Sequence, residues 1–296
     1  MSEIQERITA KTGIIAVIGD PISHSKSPSI HNESFRKLGL DYVDIAIRAN
    51  HENIEDVTKA LKTINARGWN ITTPCKEDMM KLCDQLTPAG EMIEAVNTVI
   101  NNDGVLTGTS TDGIGFMSSL KDGNIDPVGK KMTMFGCGGA ATAILVQAAL
   151  DGVKEISIFN RKDAFWPRAE KKVAEVNEKT NCKVNLFDLA DQEALRREIN
   201  ESYLLVNGTN VGMGKLEGMM CLPDASYLRE DLHVYDLIYF PKMTKFLQTA
   251  KEANCKTVMN GEAMLLYQAA ASFKLWFNEE MPVEHLKKIL NVDPVL

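Results

Sequence analysis

Lys76 lies near the start of a predicted helix, where a positive charge is unfavourable. Apolar residues recur at helical spacing in the stretch "NITTPCKEDMMKLC" at residues 70–83, which predicts a helix from about Pro74. Thr73 would cap this helix and Lys76 would be its third residue. A capping box has Glu or Gln at that position, and the partial positive charge of the helix end disfavours an ammonium by roughly a few tenths of a kcal/mol. Proton transfer is one chemistry that would justify a lysine there.

Further polar residues lie at predicted strand ends or in loops, where open α/β sheets bind ligands. They are Ser25, Ser27, Asn70, Thr72, Asn97 and Asp112. Each also has a purely structural interpretation, because Ser27 and Asp112 resemble helix N-caps and Asn97 suits a turn. His24 and His31 are interpreted as structural, since nothing near them has metal-ligand spacing.

A glycine-rich turn suggests a nucleotide site. The segment "MTMFGCGGAATA" is typical of a strand, a tight turn and a helix start, in which Gly136, Gly138 and Gly139 let the backbone approach a pyrophosphate. The pattern is G-x-G-G-A, which departs from the usual G-x-G-x-x-G. The next predicted strand ends in "NRKDAF", where Asp163 would accept hydrogen bonds from the adenosine ribose.

Composition narrows the class of protein. The chain has 296 residues, a net charge of -7 and a pI near 5.4, without a basic run interleaved with aromatic residues. These values argue against a nucleic-acid partner. The first residues are charged and the longest apolar run is too short to span a bilayer, so we expect a cytoplasmic protein without a membrane partner. The six cysteines are scattered, which indicates neither a disulfide framework nor a metal site.

Alternation of β-branched runs with amphipathic stretches predicts an α/β fold with mostly parallel sheets. In the first part, strands are expected at "GIIAVIG", "DYVDIAI" and "GWNIT", with helices near 28–38 and 53–66. An Asn-Asp-Gly turn in "VNTVINNDGVLTGT" predicts a hairpin. A second α/β series starts near residue 130, and helices are expected at about 262–277 and 283–290.

Eight motifs taken together resemble one family. They are "GDPISHSKSPSIHN", "GWNITTPCK", "AVNTV", "TDGIGF", "GCGGAATA", "FNRKD", "NGTNVGM" and "GEAMLLYQAA". Their order and types are similar to those of shikimate dehydrogenases, most closely the quinate/shikimate dehydrogenase branch. The resemblance implies a substrate domain at 1–115, a Rossmann domain at 116–261, and C-terminal helices at 262–296 that complete the first domain.

The same resemblance implies a role for each matching residue. Lys76 and Asp112 would be the acid/base pair at the carbon that changes oxidation state. The substrate carboxylate would be held by Ser25 and Ser27 with help from Thr72, the ring hydroxyls by Asn70, Asn97 and Gln268, and Tyr239 would lie between substrate and nicotinamide. Cofactor contacts would come from Gly136, Gly138, Gly139, Ala140, Asn160, Arg161, Asp163 and Gly261.

The implied activity is NAD(P)-dependent interconversion of shikimate and 3-dehydroshikimate, or of quinate and 3-dehydroquinate. We expect NAD to be preferred with some use of NADP, because Asp163 would repel a 2′-phosphate that Arg161 and Lys162 could partly neutralise. Asn210 stands where the branch often has a lysine, which removes one phosphate contact.

Two alternatives stay open, and the chain is compatible with a homodimer. Ser110 and Ala263 differ from the family's usual residues, which favours a paralogue acting on a related cyclic hydroxy acid such as an aminoshikimate. A non-catalytic sensor of quinate or shikimate is the alternative from another class, although Lys76 and Asp112 are both retained.

Overall fold

The chain divides into two compact units in a computed structural model that describes residues 8–296. The first unit contains the residues up to Thr111 together with Leu266–Val292, and the second contains Asp112–Leu265 and Asp293–Leu296. These divisions lie a few residues from the boundaries predicted from the sequence. The last four residues group with the second unit, where the Leu296 amide donates to the Val258 carbonyl at 2.9 Å.

Twelve strands within residues 8–296 form two sheets. In chain order they are β1 (Gly13–Gly19), β2 (Tyr42–Arg48), β3 (Gly68–Ile71), β4 (Gln85–Leu86), β5 (Thr98–Asn102), β6 (Val105–Thr109), β7 (Lys131–Phe135), β8 (Glu155–Asn160), β9 (Lys183–Asp188), β10 (Leu204–Asn207), β11 (His233–Asp236) and β12 (Thr257–Met259).

Eleven α-helices of the described chain cover these sheets. They are α1 (Ser27–Leu38), α2 (Ile54–Thr63), α3 (Lys76–Leu82), α4 (Pro88–Ile93), α5 (Asp112–Asp122), α6 (Gly139–Leu150), α7 (Trp166–Lys179), α8 (Gln192–Glu201), α9 (Lys245–Glu252), α10 (Glu262–Phe277) and α11 (Val283–Leu290). Within residues 8–296, no helix is both long and apolar enough to cross a bilayer.

The first unit is built on a mixed sheet of order β2-β1-β3-β5-β6-β4. β1 is parallel to both β2 and β3, whereas β5 is antiparallel to β3 and β6. β5 and β6 form the predicted hairpin, whose turn at Asp103 and Gly104 has positive φ at both residues. The predicted two-unit α/β fold with mostly parallel strands is confirmed.

Alternate residues of β1 fill two different cores of the first unit. Ile15 packs with α1 and α10, and the next residue, Ala16, packs with α2 and α3 on the opposite face. Trp276 of α10 is fully buried, and its indole N–H donates to the Val99 carbonyl at 2.9 Å. A Cβ on Gly68 would lie 2.2 Å from the Trp276 indole nitrogen, so only glycine leaves room for this ring.

The second unit has a fully parallel sheet of order β12-β11-β10-β7-β8-β9. This is the doubly wound order in which the chain starts in the middle and then fills first one side and then the other. The direction reverses between β7 and β10, and ligands bind such sheets at the carboxyl ends of the strands beside that point. The fold alone therefore predicts a ligand site at the loops after β7, β8 and β10.

The predicted start of α3 is wrong. The helix begins at Lys76 and not at Pro74, with Cys75 as its N-cap residue. The reason is that the preceding backbone is already bonded elsewhere: the Thr73 carbonyl accepts from Asp20 and the Thr72 amide donates to Ile18, both at the end of β1. Lys76 is thus the first helical residue, which keeps it at the helix terminus.

Two predicted N-caps are also wrong by one position. Ser27 and Asp112 are the first residues of α1 and α5, and Lys26 is the N-cap residue of α1. Ser27 precedes a proline that occupies the first turn, and no side-chain hydrogen bond caps this helix. The Ser27 side chain is therefore not accounted for by the capping role that its position suggested.

Candidate active site

Five buried polar side chains form a hydrogen-bonded cluster inside the first unit, which we call the amide–hydroxyl network. Its members are Asn70, Asn97, Thr98, Thr111 and Ser272, which are all at most 5% exposed. They come from β3, β5, the ends of their neighbouring loops, and α10. The structure therefore brings together two residues predicted to bind ring hydroxyls with three that were not predicted.

Three oxygen atoms compete for the two protons of the Asn70 amide nitrogen. The Nδ2 atom lies 3.2 Å from the Asn97 carbonyl oxygen, 3.0 Å from Thr98 Oγ1 and 3.0 Å from Ser272 Oγ. A backbone carbonyl can only accept, so the amide nitrogen must face Asn97. This orientation leaves Asn70 Oδ1 buried without a protein partner, and an orphaned buried acceptor is costly unless a ligand or water supplies a donor.

Asn97 fixes the chain immediately before Asp112. Its Oδ1 atom accepts from the Thr111 amide at 2.8 Å and from Thr98 Oγ1 at 2.8 Å, and its Nδ2 atom donates to Thr111 Oγ1 at 3.1 Å. Asp112 follows as the first residue of α5 and is half-buried. The amide of Asn97 therefore anchors the backbone from which the predicted acid/base carboxylate projects.

The serine loop after β1 is partly ordered by its own side chain. Ser25 Oγ accepts from the Ser27 amide at 3.3 Å, and the Ser25 amide donates to the Ile22 carbonyl at 3.0 Å. Ser27 is buried and Ser25 half-buried. Thr72 lies against the end of β1, where a Cβ on Gly19 would approach its methyl carbon to 2.4 Å.

Three further predicted residues occupy distinct elements. Lys76 is half-buried at the start of α3, and its carbonyl accepts from the Val96 amide at 3.0 Å. Gln268 is buried in α10, one turn before Ser272, whose hydroxyl donates to its carbonyl at 3.1 Å. Tyr239 lies in the loop after β11 and is 41% exposed.

A cavity of about 550 Å³ opens in the second unit at the point where the sheet reverses direction. It is lined by residues that follow β7, β8 and β10, as the doubly wound topology predicts. Five of the predicted cofactor residues line it, namely Gly136, Gly138, Asn160, Arg161 and Asp163. Thr209, Asn210 and Val211 form another part of the wall, and of these only Asn210 was considered from the sequence, as a position without the lysine often found there.

The glycine turn fits a pyrophosphate. Gly136 has φ of +89°, a conformation that side chains rarely adopt, and a Cβ on Gly138 or Gly139 would meet no protein atom within 4 Å. α6 begins at Gly139 without an acidic residue in its first turn. Unpaired N–H groups and the helix dipole therefore face open space suited to an anion.

Asp163 is held as part of a turn at the cavity wall. Its Oδ1 atom accepts from the Phe165 amide at 3.0 Å, and its Oδ2 atom lies 3.5 Å from a guanidinium nitrogen of Arg161. Arg168 lines the same cavity. One carboxylate and two guanidinium groups are thus present near the carboxyl end of β8.

Asp236 joins the loops after β10 and β11. It is fully buried and accepts from Asn207 Nδ2 at 3.0 Å, from Thr244 Oγ1 at 2.6 Å and from the Ile238 amide at 3.1 Å. Burial raises the pKa of this carboxyl to about 6. Gly261, another predicted cofactor residue, packs against this region, where a Cβ would lie 2.0 Å from the Leu237 carbonyl oxygen.

No group of three or more His, Cys, Asp or Glu residues in 8–296 is arranged to hold a metal ion. His31 instead pairs through Nδ1 with Asp44 at 2.7 Å, and both side chains are fully buried. The imidazole also packs edge-on against Trp276. His31 thus has the structural surroundings that its spacing suggested.

Comparison with known proteins agrees with this geometry. A family model described as the shikimate dehydrogenase substrate binding domain matches residues 17–99, and one described as the shikimate 5′-dehydrogenase C-terminal domain matches residues 261–290. A shikimate dehydrogenase (NADP+) of Listeria innocua serovar 6a is 52% identical over 289 residues, which cover 98% of this chain and 99% of that protein. One from Streptococcus uberis is 44% identical and covers 97% and 98%.

A solved structure extends the similarity to three dimensions. Shikimate 5-dehydrogenase from Listeria monocytogenes, in complex with shikimate and NAD, superposes with a TM-score of 0.94 at 52% identity. The match covers 98% of this chain and 100% of that one. With sequence and fold in agreement over nearly the whole length, the chain belongs to the shikimate dehydrogenase family.

Proposed function

We propose that this NAD(P)-dependent oxidoreductase interconverts shikimate and 3-dehydroshikimate. The observation that carries the proposal is the buried Asn70 Oδ1 atom, which has no protein partner and lies in a network of amides and hydroxyls. A neutral polyhydroxylated ring would donate a hydroxyl proton to such an atom. The complex of shikimate and NAD with the 52% identical Listeria protein supports the same assignment.

In the proposed mechanism, Lys76 and Asp112 move the proton of the reacting hydroxyl. Oxidation removes this proton as the carbon loses a hydride, and reduction returns it to the ketone oxygen. Ser25, Ser27 and Thr72 hold the ring carboxylate with neutral donors, while Asn70, Asn97 and Gln268 orient the ring hydroxyls. The glycine turn and Asp163 would hold NAD(P), which would supply the hydride acceptor for oxidation and the hydride donor for reduction.

The cavity of the second unit supports a preference for NAD. Asp163 presents a carboxylate where the adenosine ribose is expected, and Asn210 provides no positive charge in the wall. Arg161 and Arg168 retain some affinity for a 2′-phosphate, so NADP is used with lower efficiency. The relatives do not distinguish between the two cofactors. The Listeria innocua protein is named for NADP+, and the Listeria monocytogenes complex contains NAD.

The test is a cofactor-reduction assay with shikimate, quinate and an aminoshikimate, each run with NAD and with NADP. We expect the highest kcat/KM for shikimate with NAD. A higher kcat/KM for another ring acid would contradict the proposed substrate. An efficiency with NADP at least about tenfold above that with NAD would contradict the cofactor preference, because a full charge repulsion at close range is worth that factor or more.

A further inference from the structure

Three hydroxyl groups form a closed triangle inside the amide–hydroxyl network. Thr98 Oγ1 lies 2.8 Å from Ser272 Oγ, Ser272 Oγ lies 3.1 Å from Thr111 Oγ1, and Thr111 Oγ1 lies 3.3 Å from Thr98 Oγ1. Ser272 makes the two shorter edges. It also accepts from Asn70 and donates to the Gln268 carbonyl, so it links the network to the backbone of α10.

We propose that Ser272 is a positioning residue that sets the affinity for the ring hydroxyls of the substrate through Asn70. Ser272 is fully buried and acts without touching the substrate itself. This inference rests on the proposed function, because it assumes that Asn70 Oδ1 accepts from a ring hydroxyl.

The orientation of the Asn70 amide depends on acceptors on one side of it. Its Nδ2 atom carries two protons, and three oxygen atoms face it, from Asn97, Thr98 and Ser272. Hydroxyl oxygens offer lone pairs and also carry protons, so they accept either end of an amide. Ser272 Oγ also contacts Thr98, Thr111 and Gln268, which restricts the rotation of its side chain and keeps its oxygen within reach of the Asn70 nitrogen.

Loss of this hydroxyl weakens the preference for one amide orientation. The acceptors facing Nδ2 fall from three to two, and the one at the longest distance, the Asn97 carbonyl, is the only remaining atom that excludes the opposite orientation. In the opposite orientation the nitrogen and not Oδ1 would meet the substrate. The expected penalty is the net worth of one neutral hydrogen bond, about fivefold in affinity.

The chain offers a closely matched control serine. Ser34 of α1 is also fully buried in the first unit, and its hydroxyl donates to the carbonyl four residues earlier, at Ile30, at 2.8 Å. Ser272 makes the equivalent bond to Gln268. The two serines therefore share burial and helix geometry, and they differ in the side-chain contacts to the network that only Ser272 makes.

The experiment compares Ser272→Ala with Ser34→Ala for KM of shikimate, KM of the nucleotide, kcat and melting temperature. We expect similar losses of melting temperature in both variants. Ser272→Ala should raise KM for shikimate about fivefold with the nucleotide KM unchanged, whereas Ser34→Ala should stay within about twofold for all constants. Ser272→Cys, which keeps a weak donor and acceptor, should restore part of the affinity.

A double-mutant cycle with Thr98→Val tests whether the effect passes through the network. Valine keeps the shape of threonine and removes the hydroxyl that contacts both Ser272 and Asn70. If Ser272 acts through this network, the two changes should be non-additive in shikimate KM by a factor of about two or more.

Equal KM values for shikimate in the two alanine variants would overturn the positioning role while leaving the proposed function intact. Strict additivity in the cycle would do the same. A parent enzyme inactive on shikimate but active on another substrate would instead overturn the proposed function, and this inference with it.

Discussion

Lys76 combines a half-buried position with the first place in α3, a site where an ammonium gains nothing from the helix dipole. Lys76→Met keeps the unbranched stem and a good helix former while removing the proton donor. We expect kcat to fall by ~10²–10⁴, the usual contribution of general acid/base catalysis, with nucleotide binding and the melting temperature retained. Steady-state kinetics and a thermal melt measure both quantities.

Lys81 provides the control for this change. It lies in the same helix with its side chain 73% exposed, near Asp78 at the limit of an ion pair. Lys81→Met should leave kcat unchanged, since exposed ion pairs contribute little. If Lys76→Met turned over within about threefold of the parent, the catalytic role of Lys76 would be wrong.

Asp163 has a near twin at the end of the neighbouring strand. Asp163 Oδ1 accepts from the amide two residues on, and Asp188 Oδ1 accepts from the Ala190 amide in the same way at 2.9 Å. Only Asp163 lines the nucleotide cavity. Asn replaces either carboxylate without losing the turn, because its side-chain oxygen accepts the same bond.

We therefore expect Asp163→Asn to shift the ratio of kcat/KM for NADP over NAD upward by about tenfold, since the repulsion of a 2′-phosphate is removed. Asp188→Asn should leave that ratio unchanged. An unchanged ratio in Asp163→Asn would show that the carboxylate does not face the 2′ position of the ribose.

At the residue scale, the sequence indicates polar side chains near strand ends, but it does not indicate the buried hydroxyl groups that contact them. Thr98 follows Asn97 directly, and Thr111 precedes Asp112, so both were visible beside predicted site residues. The role of Ser272 was not visible in the sequence. Ser272 is 174 positions from Thr98, and only the folded structure brings the two hydroxyl groups together. A small polar residue four positions after Gln268 in a largely apolar helix was the available signal.

α5 and α6 pack closely because of one glycine. A Cβ on Gly113 would lie 2.4 Å from the Ala143 carbonyl oxygen and 2.4 Å from Gln147 Cβ. Both atoms belong to the backbone of α6 or are attached directly to it, so they cannot move without shifting the helix. Alanine normally stabilises a helix relative to glycine by about 1 kcal/mol. Here we expect Gly113→Ala to lower the melting temperature and also kcat, because the displaced helix begins with Asp112.

The next residue of the same helix is a suitable comparison. Ile114 is 38% exposed, and Ile114→Ala places a better helix former at a position that contributes little to the core. Its melting temperature and kcat should both stay close to those of the parent. A stable, fully active Gly113→Ala enzyme would show that the two helices separate without consequence for Asp112.

At the scale of elements, the periodic helices were the easiest to predict. α10 and α11 have the bounds expected from their sequences, and the β5–β6 hairpin forms at the Asn-Asp-Gly turn. The start of α3 could not be predicted from local signals. Thr73 and Pro74 look like a cap and a first helical residue, but the end of β1 takes the hydrogen-bonding groups that a helix would need.

For the whole molecule, β11 makes the stability depend on pH in two opposing ways. Burial, together with Lys256 and Lys130, lowers the pKa of His233 to about 4, and burial raises the pKa of Asp236 to about 6. From pH 4 to 6.5 the unfolded chain binds the His233 proton and the folded chain does not, so this residue adds stability as pH rises. From pH 3.8 to 6 the folded chain holds the Asp236 proton, so this residue removes stability as pH rises.

When one of these two residues is substituted, the remaining pH dependence of stability should be that of the other residue. His233→Gln should make the protein lose stability more steeply as pH rises from 4 to 6, and Asp236→Asn should make it gain stability more steeply over the same range. Urea unfolding midpoints at pH steps in this range measure both slopes. Parallel pH profiles for the two variants would contradict the assigned pKa directions.

Trp276 imposes an order on the assembly of the first unit during synthesis. Its carbonyl accepts from Arg67 across 209 positions and its indole donates to Val99 across 177, so the early segment lacks its partner until α10 has been made. The second unit, residues 112–265, is almost complete before that point. At about 5–20 residues per second, the apolar surface of Ile15, Ile30 and Phe35 stays uncovered for roughly 12–50 s before Trp276 has been made. During this interval the second unit is nearly complete, while the first unit still exposes the apolar surface that α10 will cover.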